Sequence, residues 1–335
     1  MIYFVLFLFL LGLIIIIKGG ELFVNASVWF ATVTGIPTII IGATIVSLAT
    51  TLPELFVSVF ASTQGSPDMA IGNAVGSTIC NIGLILSTAI LFAPSEVNRK
   101  HFSEKGLLMI ISTILLLIFS IDTLLTKVEG IILFVVLAIF IRLNLKQFRL
   151  SNILVKNNRK NKKVSASILI KNLLKFVIGT IFIVIGAQLL VDNGRDIAEF
   201  FNVPEQIISL TLIALGTSLP ELTTSITAIV KGHEGISVGN IIGANILNNT
   251  MILGTAAFTT EQGLVIGKRD ILFLARNFKD VPQTLYVDLP VALLLMLILV
   301  ISGIYNRKLN RSTGLVLLLI YIGYLTFLGY NAFSA

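Results

Sequence analysis

The apolar residues of this chain lie in ten blocks, and that patterning constrains its fold more than any other feature. The first five are Met1–Ile17, Ile36–Ser62, Ile71–Ala93, Gly106–Ser120 and Gly130–Ile141. Phe176–Val191, Ile207–Val230, Ile236–Phe258, Leu289–Ile304 and Gly314–Ala332 follow. A helix crossing a bilayer needs roughly 17–25 apolar residues, which each block reaches with its flanks. With 12% charged residues and a mean hydropathy of +0.97, the chain has too little polar surface for a soluble enzyme, a nucleic-acid reader or a disordered segment. The strict alternation of a β-barrel is missing, so the spans are helical. The expected fold is an all-α polytopic membrane protein of ten transmembrane helices.

The first block lacks the basic start of a signal peptide. Lys18 and Glu21 stand where a cleavage site would be, so the block is read as a span. One cysteine, Cys80, inside an apolar block, allows neither a disulfide framework nor a cysteine metal site. His101 and His233 fall in expected loops.

Charge orients the spans. Ten Lys or Arg residues and no acid lie between Arg142 and Lys175, so the remainder of the +7 chain sums to −3. Beside membrane spans such a run marks the cytoplasmic side. Arg99, Lys100 and Lys105, and Arg307, Lys308 and Arg311, fall on the same side when ten helices are threaded. The segments Asp122–Glu129 and Asp192–Glu199 fall outside. Both termini are then external, and the expected setting is a plasma membrane.

The chain also matches itself at an offset of 167 residues. Twenty of the fifty positions from Pro37 to Leu86 are identical to their counterparts, including Leu52-Pro53-Glu54-Leu55 against Leu219-Pro220-Glu221-Leu222. Gly72-Asn73, Gly76 and Asn81 meet Gly239-Asn240, Gly243 and Asn248. This is an internal repeat of the kind transporters use. The division is a first repeat at 1–141, a basic linker at 142–175 and a second repeat at 176–335. Five spans per copy make the repeats inverted, so two similar half-sites meet near the bilayer midplane.

The matched residues suit a cation. Pro53 and Pro220 each remove an amide donor and disturb the preceding turn, which makes the carbonyls of Thr50 and Thr217 available as ligands. Glu54 and Glu221 lie deep in apolar blocks, where an ionised group costs at least ~2.5–3.5 kcal/mol. No Lys or Arg is expected in the spans near them, so an ion pair does not account for them. A divalent cation between them relieves both burial and mutual repulsion. Two bidentate carboxylates and two carbonyls supply about six of the 6–8 oxygens Ca2+ takes. The Gly72/Gly76 and Gly239/Gly243 spacings are explained by close helix packing alone; Asn81 and Asn248, at equivalent repeat positions, are read as ligands. Hydroxyls of Thr50, Thr51, Ser77, Thr217 and Ser218 cluster nearby, as a small monovalent cation requires.

The paired Thr-[Thr/Ser]-Leu-Pro-Glu-Leu segments, each followed by Gly-Asn-x-x-Gly and a later asparagine, resemble the α1 and α2 repeats of the Na+/Ca2+ exchanger family, in its prokaryotic form. The resemblance covers nearly the whole chain. It implies ten helices, Ca2+ and Na+ as transported ions, and no bound cofactor. By the same resemblance Glu54, Glu221 and the carbonyls of Thr50 and Thr217 hold Ca2+, with Asn81 and Asn248 lining the centre. It assigns the Ala214 carbonyl, Thr217, Ser218, Ser77 and Glu221 to an outer Na+ site. It assigns the Ser47 carbonyl, Thr50, Thr51 and Glu54 to an inner one. The chain departs from the family pattern at Asn248, where many members carry Asp, and at Ala244, where Ser is frequent. With Asn248 neutral, the centre carries two formal negative charges, enough for one Ca2+.

The function expected from this resemblance is Ca2+/Na+ antiport by alternating access, independent of K+. A Ca2+/H+ antiporter using the same glutamates is the alternative. A passive channel would need a ring of ligands along a pore, which two antiparallel half-sites do not make. An enzyme is not expected, since no nucleophile–base pair or nucleotide loop is present. The bilayer is the expected surrounding, nucleic acid is not a partner, and protein partners are left open.

Overall fold

The computed structural model describes residues 2–158, 165–200, 216–273 and 276–334. Where they are described, the apolar blocks become helices, and several helices, such as α1, α5 and α6, run well past their blocks, as backbone groups stay bonded into the headgroup zone. In chain order they are α1 (Ile2–Thr34), α2 (Thr38–Thr63), α3 (Pro67–Phe92), α4 (Arg99–Phe119) and α5 (Lys127–Asn158). The second half has α6 (Ala166–Phe200), α7 (Leu219–Val230), α8 (Glu234–Ala256), α9 (Thr284–Asn306) and α10 (Arg311–Ser334). Among the described residues nine are long and apolar enough to span a membrane, and α7 is shorter. The block beginning at Ile207 is described only from Gly216.

Several local expectations change. The basic segment from Arg142 to Lys175 is helical wherever it is described, except at Ser165, because α5 and α6 run on into it. Asp192–Glu199 is likewise the end of α6 rather than a loop. His101 stands in the first turn of α4, half-buried, and His233 precedes α8 in the turn where it was expected. Lys105, expected in a loop, lies inside α4 and is fully buried, without a salt-bridge partner among the described residues.

Burial sorts the helices. In α8, 94% of the most apolar stretch is covered by protein, against 22% in α1, α6 and α10. The outer helices instead expose Phe4, Phe7, Ile14, Ile178, Ile181 and Leu319, which suit contact with lipid tails. The centre is formed by α2, α3, α7 and α8, and its buried polar residues reverse the usual order of a soluble core.

The 167-residue repeat survives as geometry. The regular part of α3, Pro67–Cys80, and that of α8, Glu234–Leu247, are displaced by 167 at both ends. The turn before each uses a glycine with positive φ, Gly65 at +79° and Gly232 at +72°, a conformation a β-carbon would strain. Asn81 and Asn248 each open a π-helical turn, Asn81–Leu86 and Asn248–Ile252. Such turns widen the helix and are frequent at functional sites.

The first helices of the two copies cross on glycines at the same repeat positions. A β-carbon on Gly12 would lie 3.2 Å from the Gly186 carbonyl oxygen, and one on Gly19 would lie 3.0 Å from that of Gly179. Gly12 thus meets Gly186 while Gly19 meets Gly179, so α1 and α6 run antiparallel at contact distance. Small residues permit this approach where lipid offers no hydrophobic drive for association.

Short strands tie loops of the same side together. β1 (Ser95–Glu96) pairs antiparallel with β6 (Lys308–Leu309), and β2 (Leu124–Leu125) with β3 (Leu264–Val265). Ten-helix threading places each pair on one face of the membrane. Between β3 and α9 a hairpin of β4 (Arg269–Phe273) and β5 (Arg276–Val281) interrupts the repeat. It was not expected, because its strands are short and largely exposed rather than alternating.

Candidate cation site

Glu54 on α2 and Glu221 on α7 are 1% and 0% exposed, and close enough to interact electrostatically. Among the described residues neither pairs with a Lys or Arg. Both oxygens of Glu54, and Oε2 of Glu221, have no hydrogen-bond partner there. Thr51 Oγ1 donates to Glu221 Oε1 at 3.5 Å, joining the two half-sites. No three of His, Cys, Asp and Glu come together among the described residues. Among the described residues the carboxylates of this centre are those of Glu54 and Glu221.

The two prolines act differently. α2 runs through Pro53 as helix, whereas in the second copy the chain turns at Thr217 and Ser218 and α7 starts with Pro220 in its first turn. A proline in a first turn sacrifices no helical hydrogen bond. The interrupted backbone lies at Thr217, one of the two positions whose carbonyl was expected to be available.

The hydroxyl and amide residues gather around the carboxylates. Thr50 Oγ1 donates to Asn240 Oδ1 at 3.2 Å and lies 3.3 Å from the Ser47 carbonyl oxygen, so two members of the expected inner set are adjacent. Ser77 Oγ and Thr217 Oγ1 are 3.5 Å apart, which adjoins two members of the outer set. Ser218 is buried with Oγ unpartnered among the described residues. Ala214 lies outside the described residues. Asn81 donates through Nδ2 to Asn245 Oδ1 at 2.9 Å, while its own Oδ1 has no partner. Asn248 is 1% exposed with both amide atoms unpartnered. An unsatisfied buried carboxylate, amide or hydroxyl is costly in protein interior. Of these, the Glu54 and Glu221 carboxylates come together beside Thr51, and a cation with oxygen ligands between them would satisfy their free oxygens.

The equivalent glycines have different surroundings. In the second copy packing explains them: a β-carbon on Gly243 would lie 2.5 Å from Ser47 Oγ, and one on Gly239 would overlap the Ile39 carbonyl oxygen. In the first copy a β-carbon on Gly72 or Gly76 would meet nothing within 4 Å. Those two glycines, with Asn73, Ser77 and Cys80, line a cavity of about 200 Å3. Its far wall carries a carboxylate that sequence reasoning missed, Asp288, 8% exposed and accepting from Gln283 Nε2 at 3.1 Å and Tyr324 OH at 3.0 Å. The signal was its position abutting the apolar block at Leu289. Asn245 was missed too, since only the fold brings it to Asn81.

The chain is similar to known membrane proteins along nearly its whole length. Residues 4–146 and 171–330 match the sodium/calcium exchanger protein family. An uncharacterised membrane protein of Methanocaldococcus jannaschii is 32% identical over 314 residues, covering 94% of each chain. The sodium/calcium exchanger MaX1 of Methanosarcina acetivorans is 29% identical, covering 96% of this chain and 97% of that one. Among solved structures, the sodium-calcium exchanger NCX_Mj soaked with Na+ and Sr2+ superposes with a TM-score of 0.80 at 29% identity, covering 97% of this chain and 99% of that one. The chain belongs to the sodium/calcium exchanger protein family.

Proposed function

We propose that this chain is a secondary antiporter that exchanges Ca2+ for Na+ across the membrane by alternating access, with no requirement for K+. The observation that carries the reading is the pair Glu54 and Glu221, buried on equivalent helices of two inverted repeats without a basic partner among the described residues. Two carboxylates neutralise one Ca2+ or two Na+, so the two ions compete for the same charge. That competition couples their movements: the empty centre is the state most disfavoured by desolvation and repulsion, so reorientation is favoured with ions bound.

In this reading the glutamates and the carbonyls of Thr50 and Thr217 hold Ca2+, and Asn81 and Asn248 face it from α3 and α8. Thr217, Ser218, Ser77 and the Ala214 carbonyl share Glu221 with one Na+. Thr50, Thr51 and the Ser47 carbonyl share Glu54 with another. Asn248 adds an oxygen but no charge, which is why no further monovalent cation is needed. The relatives named for sodium/calcium exchange, and NCX_Mj crystals soaked with Na+ and Ca2+ or Sr2+, support the ion pair chosen. The protein is placed in the plasma membrane with the Arg142–Lys175 segment cytoplasmic and both termini external. The test is 45Ca2+ uptake into proteoliposomes under Na+, K+ and proton gradients imposed one at a time. Uptake driven by Na+ alone is expected; uptake that ignores Na+ and follows the pH gradient would establish Ca2+/H+ exchange instead.

A further inference from the structure

We propose that Asn245 is a positioning residue that locks the side-chain amide of Asn81 with its carbonyl oxygen, rather than its NH2 group, turned to the transported cation. The proposal rests on reading Asn81 as a cation ligand and adds what makes it one. An asparagine amide has an acceptor end and a donor end of nearly the same shape. Only the acceptor end binds a cation; the flipped amide would present N–H groups and repel it.

The structure contains a chain of contacts that decides between the two. It begins at the backbone carbonyl of Thr78, which can only accept. Asn245 Nδ2 donates to that carbonyl at 3.2 Å. The amide of Asn245 is thereby oriented, and its Oδ1 is turned toward Asn81. Asn81 must meet an oxygen with a donor, and its Nδ2 does so at 2.9 Å. The free end of Asn81 is then Oδ1, buried and without a partner. Flipping Asn81 would set oxygen against oxygen; flipping Asn245 as well would set its oxygen against the Thr78 carbonyl. Each alternative loses a hydrogen bond in a site closed to water.

The arrangement exists on one side only. Asn245 and Thr78 are equivalent in the repeat, as are Asn81 and Asn248, yet neither amide atom of Asn248 has a partner among the described residues. Asn81 is thus oriented, whereas Asn248 has no such partner among the described residues. Outer partners that orient a metal ligand typically change affinity 10- to 100-fold when removed.

The experiment is calorimetric Ca2+ titration of purified full-length protein in Na+-free buffer, with thermal unfolding without Ca2+ as the check on folding. Asn245→Ala is expected to raise the Ca2+ Kd roughly 10- to 100-fold. The deciding background is Asn81→Asp, because a carboxylate presents oxygen whichever way it turns. Removing Asn245 there should leave the Kd unchanged or lower it. Equal weakening in both backgrounds would assign Asn245 a purely structural role and overturn the proposal, as would an unchanged Kd for Asn245→Ala alone. Asn81→Ala without effect on Ca2+ would remove Asn81 from the ligands and the proposal with it, a failure distinguishable from that of the positioning role. Should Asn245→Ala fail to fold, Asn245→Ser, too short to reach the Asn81 amide, carries the same expectations.

Discussion

Replacing Glu54 by Gln keeps the shape of the side chain and one carbonyl oxygen but removes half the formal charge of the centre. Two opposite effects follow from the structure. In the cation-free protein both Glu54 oxygens lack partners among the described residues and face a second carboxylate, so the neutral variant should be at least as stable as the native chain. With Ca2+ the sign reverses. Leaving one buried charge of an interacting set uncompensated typically costs about 3–5 kcal/mol. At about 1.4 kcal/mol per tenfold, this weakens Ca2+ binding by roughly two to three and a half orders of magnitude.

The assay is thermal unfolding with and without Ca2+, on native protein and Glu54→Gln side by side. At a Ca2+ concentration about 100 times its Kd the native protein gains about 2.7 kcal/mol by mass action, and the variant at that concentration gains almost nothing. Proteoliposome flux should vanish in parallel. A variant less stable than the native chain without cations, or one keeping the Ca2+-induced shift, would refute the reasoning: Glu54 would then be a structural residue rather than a ligand.

Glu221→Gln should behave in the same way, and near-normal Na+-driven Ca2+ flux in that purified variant would remove the pairing of half-sites. A cysteine introduced at Asn158 in a Cys80→Ser background should resist impermeant thiol reagents in intact cells; ready labelling would invert the topology. Gly186→Leu places side-chain atoms where a β-carbon already lies 2.7 Å from the Ile16 amide nitrogen, and should destabilise by at least about 1–3 kcal/mol. Gly323→Leu on α10, where a β-carbon meets nothing within 4 Å, should not, and equal unfolding temperatures for the two would discount the crossing. Asn248→Asp adds a third carboxylate and should change the monovalent-ion dependence of flux more than Ca2+ binding; a K+ requirement in the native protein would overturn the reading of this position.

The helices and the repeat were legible because both are written in one dimension: apolar runs have a length, and copies have an offset. The helix ends were less so. Residues such as Lys105 and His101 read as loop by charge, yet the backbone there remains helical while α4 enters the headgroup zone. The hairpin Arg269–Val281 has no apolar face to announce it, and its strands are held by pairing with each other. At the site, Glu54 and Glu221 stood out because a carboxylate in an apolar block has few explanations. Asn245 looked like its polar neighbours, since the direction of an amide is set by atoms far away in sequence, here the Thr78 carbonyl 167 residues earlier.

Near-identical half-sites that make different contacts are what an exchanger requires. Asn73 donates to the Glu54 carbonyl at 3.1 Å and to Ser58 Oγ at 2.9 Å, while its counterpart Asn240 accepts from Thr50 at 3.2 Å and Ser225 Oγ has no partner among the described residues. Gly239 and Gly243 are closed against α2, whereas Gly72 and Gly76 border a cavity. Sequence differences at these positions are too small to impose the contrast, since Gly72, Asn73 and Gly76 are repeated without change. The inequality therefore belongs to the conformation. By the symmetry of the repeat, the complementary state would have the first copy adopt the contacts now made by the second, with the cavity beside Gly239 and Gly243 instead. Such a transition needs two arrangements of comparable free energy, biased by which ion is bound. The two glutamates, one per copy, remain at the centre in either arrangement, which is why the charge that selects the ion can be shared by both sides of the membrane.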